Sequence, residues 1–114
     1  MMRTLKPLAL LLALNLYIPI GMAAAAEISI TNPVGGTVFR PSSKIEVSFE
    51  ATPGPTGDHV HLYLDDRKPV VIPQLKGSHT LDSVTPGKHG LCVRIVDKGH
   101  AEIGVQDCVI FRVE

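Results

Sequence analysis

His59-Val60-His61 is the segment of this chain best equipped for chemistry. Residues i and i+2 of an extended strand share one face, about 6.5–7 Å apart along the backbone, so two imidazoles there can converge on one ion. Neutral imidazole suits copper(II), zinc and nickel. His100, in the turn-forming run Asp97-Lys98-Gly99-His100, is the expected third ligand, and His79 a possible fourth. Asp58 and Glu102 are the carboxylates placed to orient an imidazole, and either of them or a water would complete the ligand set. The three methionines, Met1, Met2 and Met22, all precede the expected domain, which therefore lacks the thioether of a blue-copper or Met-rich copper(I) site. On affinity copper(II) leads and zinc follows. His89 is expected at the start of its strand, at the opposite end of the domain from this group, hydrogen-bonded to backbone rather than to metal.

These residues need a scaffold, and the apolar pattern describes it. No helical period is present, whereas alternation recurs in Ile45/Val47/Phe49, Val60/Leu62/Leu64, Leu91/Val93/Ile95 and Val109/Phe111/Val113. Pro, Gly, Asn and Asp punctuate the runs. Strands are expected over 28–31, 37–40, 44–51, 59–65, 69–73, 79–84, 89–97 and 105–113. About seven short strands with one apolar face each make an all-β, immunoglobulin-like antiparallel β-sandwich. In such a sandwich the loops before residue 59, before residue 79 and around residue 100 gather at one end, which brings His59, His61 and His100 to one rim. Since Val60, Leu62 and Leu64 claim the core, the histidine pair is expected on the outer surface. Asp65-Asp66-Arg67-Lys68 reads as a solvated, self-compensated turn.

Thr85-Pro86-Gly87-Lys88-His89-Gly90-Leu91, a turn feeding the penultimate strand, resembles the same feature of bacterial immunoglobulin-like and fibronectin type III domains. The wider pattern joins His59-x-His61 to Pro86-Gly87-x-His89-x-Leu91-x-Val93, Asp97 and His100. It is similar to that of small secreted bacterial domains of this type. The resemblance implies the sandwich and export, and no activity. Two antibody-domain hallmarks are missing: the chain has no Trp, and its two cysteines fall in the last two strands.

Cys92 and Cys108 lie opposite each other if a hairpin is centred on His100, and both carry the outward parity of their strands. A disulfide is expected, which also points to an oxidising compartment. The N-terminus agrees. Arg3 and Lys6 precede a mostly apolar run from Leu8 to Ile20, and Ala23–Ala26 offer small residues for cleavage. Residues 1–26 are read as a cleaved signal peptide and 27–114 as one domain, periplasmic or secreted, with no membrane span after cleavage.

Residues 27–114 carry nine Lys or Arg against eleven Asp or Glu, which leaves no electrostatic footprint for nucleic acid. No Gly-rich phosphate loop or nucleophile elbow is present. The function expected is a non-enzymatic copper(II) or zinc carrier or buffer, with another periplasmic protein as a candidate partner. The alternative is a structural module that binds protein or glycan without metal. An enzyme would have the three-ligand geometry in its favour. Against it stand the small domain and the lack of a general base beyond Glu102.

Overall fold

The computed structural model describes residues 24–114, so the expected signal peptide, residues 1–26, lies almost wholly outside the described residues. Eight strands follow in order: β1 (Glu27–Asn32), β2 (Val38–Phe39), β3 (Ile45–Thr52), β4 (His59–Leu64), β5 (Val70–Ile72), β6 (Lys76–Leu81), β7 (Gly87–Val96) and β8 (Glu102–Val113). They form two sheets, one of three strands ordered β1-β3-β6 and one of five ordered β2-β8-β7-β4-β5. All pairings are antiparallel except β2 with β8.

The alternating residues meet between the sheets. Val47, Val60, Leu91, Val93, Ile95 and Phe111 are fully buried, and Phe39 packs edge-on against Phe111 with ring centroids 5.6 Å apart. Burying side chains of this size contributes about 1.5–3 kcal/mol each. One polar bond joins the sheets at their edge, where the Ile30 amide donates to Asp107 Oδ2 at 2.8 Å. That contact occupies a donor which an edge strand would otherwise present to other chains.

Two departures from the expected strands matter for the site. β6 begins at Lys76, because Gly77 and Ser78 pair with Phe49 and Ser48 of β3 through backbone alone, without apolar side chains to announce them. The β7–β8 hairpin also changes register. Cys92 faces Cys108 and Arg94 faces Gln106, but Val96 faces Glu102, so Ile95 stands against three residues, Ile103, Gly104 and Val105. Gly104 takes a positive φ of 84° in this bulge. The turn is therefore closed between Asp97 and Ala101, with the Asp97 amide donating to the Ala101 carbonyl at 2.8 Å.

Candidate metal centre

β4 supplies two of the three imidazoles. The loop before it is held tightly, with the Gly57 amide donating to the Pro53 carbonyl at 3.0 Å and the Asp58 amide to the Val96 carbonyl at 2.8 Å. Glycine is needed at 57, since a β-carbon there would run into the Pro53 carbonyl and the Ile95 side chain. His59 then pairs with Val96 and His61 with Arg94 across the β4–β7 ladder, placing both rings on the outer face of the five-stranded sheet. Their strand neighbours Val60, Leu62 and Leu64 are in the core, as the alternation requires.

The hairpin turn supplies the third. Asp97 Oδ1 accepts the amides of Gly99 and Ala101, each at 2.9 Å, and the His100 amide donates to the Asp97 carbonyl at 3.0 Å. These bonds hold His100 at a φ of 65°, a left-handed conformation that histidine visits more readily than most residues. Its ring thereby leans back over the start of β4.

The three rings meet. His59 Nε2 lies 3.2 Å from His61 Nε2 and 3.2 Å from His100 Nδ1, and His61 Nε2 lies 3.1 Å from His100 Nδ1. These three residues form a group that could hold a metal ion. Hydrogen bonds alone do not account for the triangle. Each ring nitrogen directs either one proton or one lone pair along its in-plane axis, so three mutual edges cannot all join a donor to an acceptor. His59 leaves little choice: its Nδ1 is 2.9 Å from Asp58 Oδ2, so that nitrogen carries the proton it donates and Nε2 turns a lone pair to the centre.

The outer face of the sheet is not solvent-facing here. His59 and His61 are only 7% and 6% exposed, because the rings cover one another and Val96, opposite His59, is fully buried beside them. The expected surface histidines are thus on the expected face but buried; only His100 is exposed. Burial lowers the His61 pKa below the ordinary histidine value, and the neighbouring His59 and His100 lower it further, against a smaller opposing effect of Glu102. A neutral ring is the form that ligates metal.

Of the remaining candidates, Asp58 orients His59 as described. Glu102 is engaged elsewhere: its Oε1 accepts Arg94 Nη1 at 2.6 Å and the Tyr63 hydroxyl at 3.3 Å, while the Arg94 guanidinium stacks 4.3 Å from the Tyr63 ring centre. Arg94 holds the Glu102 carboxyl below its usual range. His79 does not join the group. Because β6 starts at Lys76, His79 sits in mid-strand opposite Val47, on the inward face with Leu81, and lines a shallow cleft with Leu62, Leu64 and Val70. The disulfide between Cys92 and Cys108 is present, with the Cα atoms 4.1 Å apart, so neither sulfur is a free ligand.

One polar cluster went unread in the sequence. Asp65 does not belong to a merely solvated turn. Its Oδ2 meets His89 Nδ1 at 2.6 Å, its Oδ1 accepts the Gly90 amide at 2.8 Å, and its own amide donates to the Gly90 carbonyl. His89 Nε2 faces the Thr85 carbonyl at 2.6 Å and its ring stacks on Phe111. Both nitrogens face acceptors, so the ring fits best as a buried imidazolium, and the bond to Asp65 raises its pKa. No sequence signal announced it, since the pairing of Leu64 with Leu91, which extends to set Asp65 beside Gly90 and His89, is made only when β4 meets β7.

No family model and no curated protein matches the chain. Solved structures do. The fibronectin(III)-like modules of Clostridium thermocellum CbhA align with a TM-score of 0.61 at 17% identity, covering 75% of this chain and 93% of theirs. The extracellular domain of a B. thetaiotaomicron protein described as a one component system gives 0.53 at 11% identity, over 77% of this chain and 15% of that one. A second structure, described as the extracellular domain of a hybrid two component system of B. thetaiotaomicron, gives 0.52 at 12% identity, over 81% and 15%. The fold is a fibronectin III-like β-sandwich. Among the described residues no helix is long and apolar enough to cross a membrane.

Proposed function

We propose that this chain is an exported, non-enzymatic metal-binding module, a carrier or buffer, that holds one ion through His59 Nε2, His61 Nε2 and His100 Nδ1. The observation that carries this function is the near-equilateral triangle of ring nitrogens, with edges of 3.1–3.2 Å. Around a tetrahedral ion with Zn–N bonds of about 2.0–2.1 Å, ligand nitrogens stand about 3.3–3.4 Å apart. Three ligands of a square-planar copper(II) ion would instead need one edge of about 4 Å. The geometry therefore favours zinc, although copper(II) binds imidazole more tightly in general. The leader pattern and the disulfide support a periplasmic or extracellular location.

The test is a calorimetric titration of the purified protein with Zn(II) and Cu(II) at about pH 7.5, where free imidazole is neutral. One equivalent of ion is expected to bind, and a His59→Ala/His61→Ala variant to lose that binding. No uptake would leave a structural sandwich without metal, and unchanged affinity in the double variant would place the ion elsewhere than on the triad. The exposed Val34, Val38 and Ile110 near the β2–β8 edge would then be the surface to examine for a protein or glycan partner.

A further inference from the structure

The geometry points to an open coordination position on the triad's ion, one that takes a monodentate anion from outside the chain. This inference rests on the metal-binding function proposed above and adds the class of ligand the site receives.

The donor inventory comes first. Three imidazoles occupy three corners of one face of a tetrahedral ion, and a fourth donor is required. Residues 1–23 contain no His, Cys, Asp or Glu. Among the described residues the nearby carboxylates each use one oxygen elsewhere, and none of them belongs to the metal group. Asp58 is bonded to His59, Glu102 to Arg94 and Tyr63, and Asp97 to the amides of Gly99 and Ala101. Both cysteines are in the disulfide, and His79 and His89 lie elsewhere with Leu81 and Phe111. The metal group is three residues, with no carboxylate among them.

Charge then selects the ligand. All three donors are neutral imidazoles, so the ligand set leaves the full double charge of a divalent ion uncompensated. The charged groups of the surrounding turn and strands are Asp58, Asp97 and Glu102 on one side and Arg94 and Lys98 on the other. Most of these groups are exposed and screened by solvent, so they offset little of the ion's charge. A water can fill the fourth position, and the remaining positive charge favours its replacement by an anion. His59 and His61 are buried and His100 alone is exposed, so the approach to the ion is from the hairpin side.

Cobalt(II) provides the readout, because its visible bands report coordination directly. The purified full chain is loaded with one equivalent of Co(II) and titrated with sodium azide. The bands are expected to shift saturably to a one-to-one end point, and a Glu102→Gln variant to give the same shift. Failure of azide to move the spectrum of a protein that does bind cobalt would overturn the inference and leave metal binding intact. So would a shift that appears only in Glu102→Gln, since Glu102 would then be the fourth ligand. A shift produced by raising protein concentration without azide would assign the anionic donor to a second copy of the chain and overturn the dissolved-anion form. Failure to take up cobalt, zinc or copper would overturn the metal-binding function itself.

Discussion

Asp58 Oδ2 accepts a hydrogen bond from His59 Nδ1 at 2.9 Å, and the same ring presents its other nitrogen to His61 and His100. One carboxylate thus sets both the tautomer and the heading of a buried imidazole. The Asp58 side chain is itself 40% exposed, so this orienting role makes little demand on folding stability.

Replacing Asp58 with Asn should weaken metal binding by about 10–100-fold, the usual effect of removing a partner behind a ligating histidine. The thermal midpoint of the metal-free protein should hardly move. Calorimetric titration beside a melting curve separates the two effects.

Asp97→Ala tests the other arm of the site. The substitution removes one oxygen that accepts two backbone amides, and the turn then no longer holds His100 in its left-handed conformation. Stability should fall by about 1 kcal/mol, in line with the net value of exposed hydrogen bonds. Metal affinity should fall much further than that, measured by competition with a chromophoric chelator.

Removing the disulfide should cost about 3 kcal/mol, the chain-entropy value for a loop of this length. The bond spans a sequence separation of 16, and its cysteines come from β7 and β8 and are not among the three ligands. A Cys92→Ala/Cys108→Ala variant should therefore unfold at lower denaturant yet bind one equivalent of metal while folded.

The His89–Asp65 pair predicts a stability optimum in mildly acidic solution. The Asp65 bond raises the His89 pKa, so this contribution is complete below about 6.5 and is lost as pH rises through the elevated value. For Asp65, burial pushes the pKa up, but the bonds from His89 and Gly90 outweigh it and the net direction is down. Its contribution is present above about 3.9 and is lost as pH falls through the depressed value. Stability from this pair should thus be greatest between about pH 4 and 6.5. Urea melts across pH should show that window flattened in Asp65→Asn, with the metal-free protein used throughout.

Local chemistry made much of this protein legible in its sequence. The alternation of Val60, Leu62 and Leu64 placed His59 and His61 on one outer face, because side-chain direction along a strand has a period of two whatever the surroundings. Counting out from a turn at His100 set Cys92 opposite Cys108, and the pairing holds because the bulge offsets a turn that is closed one residue earlier, between Asp97 and Ala101. Burial was a different matter. The histidines face away from the core yet are enclosed, since enclosure depends on a hairpin turn folding back from forty residues away. His79 was misplaced because β6 starts at Lys76 and runs through Gly77 and Ser78, whose pairing is made by backbone and leaves no apolar signature. The sense of the Asp65 carboxylate, bonded to an imidazolium rather than to water, likewise depended on the meeting of β4 and β7. Periodicity and turn chemistry are properties of neighbours in the chain and can be read from it. Convergence of three ring nitrogens to within 3.2 Å is a property of register and of one bulge at Gly104, and those were decided only when the strands paired.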